Sequence, residues 1–176
     1  MKAMPDGRTR LALGAATGAL WTLLLVGLSG WEAELPVILG GSLGFAALLA
    51  GLGRRFMSLN IVWTAGTVVL MPGFYYAAIL AGFSVGEAVL DSLVTLGAVG
   101  GLVGAGLIWA WTAIASPAVA RRGVLARTLL GGMLAGGIGL PVVGLAQGWL
   151  TLVGLHALWQ GVVLWALFSG AGEDED

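Results

Sequence analysis

Cysteine is absent, histidine occurs once, and only 10% of the 176 residues are charged. Without cysteine there is no disulfide, no thiolate nucleophile and no cysteine metal site. A single histidine excludes the paired-histidine zinc motifs, and no phosphate-binding loop occurs, so neither a metal nor a cofactor is expected. A net charge of −1 gives no electrostatic footprint for nucleic acid. A water-exposed globular surface carries about 25% charged residues. Here most of the surface must face something apolar.

What is present agrees. The chain is 59% hydrophobic with 31 Gly and 8 Trp, and its mean hydropathy is +0.98. Glycine costs roughly 1 kcal/mol relative to alanine in a water-exposed helix. In a bilayer it lets helices approach closely instead.

A membrane span needs about 20 apolar residues. By that measure the sequence predicts an all-α integral membrane protein with six transmembrane helices, at about 11–29, 37–53, 59–83, 92–115, 128–146 and 149–169. Residues 1–10 form a cytoplasmic N-terminal segment, 11–169 the six-helix domain, and 170–176 an acidic, disordered cytoplasmic tail. No charged residue occurs from Thr128 to Ser169. That stretch is about twice the bilayer thickness, so it must fold back, and Gln147-Gly148 is its polar turn.

Every basic residue then falls on one side. Lys2, Arg8 and Arg10 precede span one, Arg54 and Arg55 follow span two, and Arg121, Arg122 and Arg127 separate spans four and five. The other loops carry Glu32, Glu34, Glu87 and Asp91 and no basic residue. Lys/Arg bias sets orientation, which puts both termini in the cytoplasm of a cell-membrane protein. The carboxylates match neither a calcium loop nor an acid–base pair and read as solvated loop charges. Trp31 and Trp149 mark outer boundaries and Trp63, Trp109, Trp111 and Trp165 inner ones, while Trp21 and Trp159 lie deeper, between helices.

Short outer connections pair the spans as three helical hairpins. The even-numbered spans share glycines seven apart, at Gly44 and Gly51, Gly97 and Gly104, and Gly154 and Gly161. Each pair lies on one helix face and can admit a neighbouring backbone. The shared spacing suggests an internal triplication of the hairpin. Pro72 and Pro141 sit inside spans three and five, where proline kinks a helix or frees a carbonyl.

Polar groups inside the apolar zone are few. His156 and Gln160 lie four apart on one face of span six, as an interhelical hydrogen-bonding pair or a ligand site. Asn60, Tyr75 and Tyr76 serve either as interfacial anchors or as site residues. No span holds an Asp or Glu of the kind proton-coupled pumps use. The string Gly27-Leu28-Ser29-Gly30 is similar to the G-x-S-G of rhomboid-type intramembrane serine proteases. It closes span one, however, whereas that family's serine opens the fourth span, and the family's histidine-rich helix is missing. An enzyme is therefore not expected.

The leading expectation is a non-enzymatic structural, assembly or interaction component of the membrane. Its partners are the lipid bilayer and, through small-residue faces, itself or another membrane protein. The alternative is a small-solute transporter or substrate-binding membrane subunit. In size and six-span plan the chain resembles the substrate-binding components of energy-coupling-factor vitamin transporters. Ala12 and Ala16, four apart near the inner end of span one, are similar to the small-residue contact those components use for a partner.

Overall fold

The apolar runs fold as helices that outlast them where the basic residues stand. The computed structural model describes residues 4–29, 34–89, 92–144 and 149–169, with side chains described for 4–28, 40–85, 92–141 and 153–169. Within these residues lie six helices and no strand: α1 (Gly7–Ser29), α2 (Glu34–Met57), α3 (Ile61–Val89), α4 (Leu93–Ala115), α5 (Arg122–Gly144) and α6 (Trp149–Leu167). Stretches long and apolar enough to cross a membrane occur in α1, α3, α4 and α5, and α6 holds a shorter apolar helix over Val153–Leu167. The chain is thus a helical membrane protein by its long apolar helices. Arginines in the terminal turns of α1, α2 and α5 extend these helices beyond the expected spans, because nothing in Arg ends a helix. The Gln147-Gly148 turn, Trp31, Glu32, Asp91 and the acidic tail lie outside the described residues, as do the side chains of Ser29, Glu34, Glu87 and Trp149.

Side chains set the helix starts. Asp6 Oδ1 accepts the Thr9 N–H at 2.7 Å, Asn60 Oδ1 the Trp63 N–H at 2.8 Å, and Ser92 Oγ the Val94 N–H at 3.2 Å. Asn60 is therefore a helix cap. Between α2 and α3 the chain turns at Ser58, whose φ of 54° is in the left-handed region, and Leu59 N–H closes back on Gly53 O at 3.2 Å. The Thr9 hydrogen bonds hold the exposed Asp6 carboxyl below its ordinary range. A lowered carboxyl favours the folded end of α1 above the usual carboxylate range, and that contribution is lost as pH falls through it.

Each helix lies antiparallel to the next, and α6 returns to lie antiparallel to α1, which closes a ring. α6 also touches α2 and α4, besides its ring neighbours α1 and α5. Gln160, Val163, Leu164, Leu167 and Phe168 have no exposed surface, and Phe45, Leu49, Met71 and Ile108 from the surrounding helices complete the core. Alternation brings Arg8, Arg10, Arg54, Arg55, Arg121 and Arg122 to one end of the ring. There Arg10 Nη1 donates to Phe168 O, fastening α1 to the last turn of α6.

Close backbone-to-backbone seams run between α4 and α5 and between α1 and α6. Where α4 meets α5, a Cβ at Gly97 would collide with Gly136 O and one at Gly101 with Gly132 O, and the reverse substitutions collide likewise. Where α1 meets α6, a Cβ at Gly14 would lie 2.6 Å from Gln160 O and one at Gly18 2.6 Å from His156 O. Both seams use glycines four apart, the spacing that stacks residues along one helix face. We expect Gly136→Val to cost at least about 1–3 kcal/mol of overpacking, several degrees of Tm in detergent. At Gly51, by contrast, an added Cβ would meet nothing within 4 Å. Gly51→Ala should leave Tm unchanged or raise it slightly, and circular dichroism melts of the two variants check both expectations.

Candidate ligand-binding site

The polar residues of α6 point inward, to different neighbours. Gln160 is fully buried, and its Nε2 donates to Gly41 O at 3.1 Å and to Tyr75 Oη at 2.9 Å. One amide thus ties α6 to α2 and α3. One turn earlier, buried His156 places Nδ1 3.2 Å from Thr22 Oγ1 on α1, and that hydroxyl donates to Gly18 O at 2.7 Å. The hydroxyl's single hydrogen can serve only one of these at a time. Aromatic rings gather round the pair. Tyr75 stacks beside His156 at 6.0 Å and 15°, and meets Trp159 edge-on at 5.3 Å and 83°. Phe45 packs on Trp159 from α2 at 6.1 Å.

Two buried polar atoms here have no hydrogen-bond partner among the described residues, Gln160 Oε1 and Trp159 Nε1. Native interiors hold few such atoms. They sit on consecutive residues of α6.

Beside this cluster lies an open-sided cavity of about 420 Å³ between α3, α4, α5 and α6, with Phe83 and Leu93 half exposed at its margin. Small-molecule sites typically occupy about 300–1,000 Å³ and are mostly apolar. The walls are Ile79, Phe83, Leu93, Leu96, Leu140 and Leu155, with the glycine backbones of α4 and α5. Tyr75, His156 and Trp159 form the inner end. From Tyr75 to Phe83 the cavity follows α3 for about 12 Å at the helical rise. It therefore runs from near the middle of the bundle towards the end where α3 finishes and α4 begins.

His156 lines this cavity, whereas Gln160 does not and instead holds Tyr75 in place. Pro72 and Pro141 lie within continuous helices, so neither interrupts its helix. Pro72 is not among the lining residues, while Leu140, just before Pro141, is. The glycines chosen by their spacing of seven meet unlike neighbours. Gly44 takes the Trp21 ring, Gly97 the Gly136 carbonyl, Gly104 Trp159 and Ala78, and Gly161 Leu11 and Ala15 of α1. Gly51 is exposed and Gly154 half-buried in α6. Ala12 and Ala16 are exposed on α1. Among the described residues no cluster of His, Asp and Glu could hold a metal ion.

Sequence reasoning did not connect Thr22, Gly41 or Trp159 to the His156–Gln160 face. Thr22, a hydroxyl deep in an apolar run, was a usable signal; Gly41 contributes only a carbonyl and gave none. Tyr75 and Tyr76 look alike in sequence, but the structure buries Tyr75 and leaves Tyr76 half exposed. The chain matches no family model, no curated protein and no solved structure, so the site rests on its own geometry.

Removing the amide that joins three helices should cost more than removing a donor that has no partner. Interhelical hydrogen bonds in membranes contribute about 0.5–2 kcal/mol each. Gln160→Leu breaks two of them and should lower Tm by several degrees. Trp159→Phe breaks none and should shift Tm by less than half as much in the same detergent melts.

Proposed function

We propose that this chain is a six-span membrane protein with cytoplasmic termini that holds a small molecule in the cavity among α3–α6, as a substrate-binding membrane subunit or carrier. The cavity carries the proposal. A bundle serving only as scaffold has no need of a space of ligand size, bordered by three aromatic residues of which Tyr75 and His156 are held by hydrogen bonds and Trp159 by ring packing. The inner end with Tyr75, His156 and Trp159 is where a bound molecule would be oriented. The exposed Ala12 and Ala16 near the basic end leave a small-residue face open to a membrane partner.

The six-span reading is supported by the alternation of the helices, which gathers the arginines at one end, the cytoplasmic end by the charge rule. The three hairpins of this reading are α1–α2, α3–α4 and α5–α6. Because the glycine pairs meet unlike neighbours, it does not depend on a repeat. Single cysteines at positions 87 and 121 should be labelled from opposite faces of sealed vesicles by a membrane-impermeant maleimide; labelling of both from one face rejects the topology.

The binding reading is tested by native mass spectrometry of the protein purified in mild detergent. A co-purified small molecule is expected on the wild type and lost from Leu96→Trp and Leu155→Trp, which fill the cavity from α4 and from α6. Retention of the same mass by both folded variants rejects the site.

A further inference from the structure

The chemistry of the cavity narrows what it accepts. No Lys, Arg, Asp or Glu lines it, and none occurs in α4 or α6. An ion or a charged headgroup moved into such a site would lose its hydration without a counter-charge, which is expensive in an apolar interior. The polar side chains at the inner end are largely engaged with the protein. Tyr75 Oη is bound by Gln160, and His156 Nδ1 faces Thr22. The indole N–H of Trp159, although unpaired, is itself buried. What borders the space is therefore ring and aliphatic carbon. The lining runs about 12 Å along α3, a shape suited to a chain or a narrow ring system.

Resting on the binding reading above, we propose that the ligand is a neutral, hydrocarbon-rich molecule such as a prenyl or acyl chain, taken from the apolar phase of the bilayer. A charged, water-soluble solute does not fit this lining. The specificity comes from the aromatic end. Gln160 holds Tyr75, Tyr75 stacks beside His156 and meets Trp159, and the chain end packs against these rings. Affinity then follows buried apolar area, and a charge attached to the same chain works against it.

The experiment uses the full-length protein in nanodiscs with a diazirine-bearing farnesol, and the labelled residues are mapped by mass spectrometry. Saturable labelling at Ile79, Leu96 or Leu155 is expected, displaced by unlabelled farnesol and at least about tenfold less effectively by farnesyl phosphate. Leu96→Trp and Leu155→Trp should each abolish it. A second arm carries the diazirine on a phospholipid acyl chain. Labelling of the same residues in that arm, undisplaced by farnesol, identifies the bilayer's own chains as the source of the neutral hydrocarbon. Equal displacement by farnesyl phosphate overturns the neutral class while leaving the site intact. A co-purified molecule that is charged, and that the filling variants lose, does the same. If the cavity residues are not labelled and the filling variants keep the co-purified mass, the binding site itself fails.

Discussion

The structure depends on backbone-to-backbone contact at two glycine seams. In lipid there is no hydrophobic drive between helices, because the surrounding acyl chains are as apolar as leucine. Association must come from close packing and from hydrogen bonds that water does not contest. At the α4–α5 seam Gly97 and Gly101 lie against Gly136 and Gly132, and at the α1–α6 seam Gly14 and Gly18 lie against the α6 backbone from His156 to Gly161. The first seam builds the glycine wall of the cavity. The second brings α1 close enough for Thr22 to reach His156. Together the two seams help close the six described helices into a ring.

α6 gains its central place from the same economy. It is the shortest helix, yet it carries the polar side chains that the interior must satisfy. Gln160 meets α2 and α3, His156 meets α1, and Arg10 of α1 covers a carbonyl at the end of α6. A buried network of this kind specifies one arrangement, because sliding α6 by a residue would leave the amide without partners. The amide is not fully satisfied even so, since Gln160 Oε1 finds no partner among the described residues.

Much of this was legible in the sequence, and the parts that were not share a cause. Apolar run length and the placement of arginines located six helices to within about six residues at each end, because both reflect one-dimensional constraints. His156 and Gln160 stood out because polar groups in apolar runs are rare. Spacing seven picks out Gly97 and Gly161, which lie in the seams, but also Gly51, where an added Cβ would meet nothing within 4 Å, and it passes over Gly101, Gly132 and Gly136. Glycine is so frequent here that several spacings recur, and only the partner helix decides which face is used. The cavity was invisible for a related reason. It is bounded by ordinary leucines and isoleucines whose only distinction is what they fail to touch.

The relation between seams and cavity sets the chemistry of the proposed site. Glycine brings α4 against α5 by deleting side chains, and the same deletion removes from that wall any group able to pair with a charge. A helix that packs this closely offers its neighbour mainly carbonyls already used within helices. Polarity can then enter only from α3 and α6, and there the tyrosine and histidine are already held by Gln160 and Thr22. The construction that packs the bundle therefore leaves an open-sided space lined by carbon. Under the proposed binding reading, such a lining favours molecules already dissolved in an apolar phase over solutes that must shed a hydration shell to enter it.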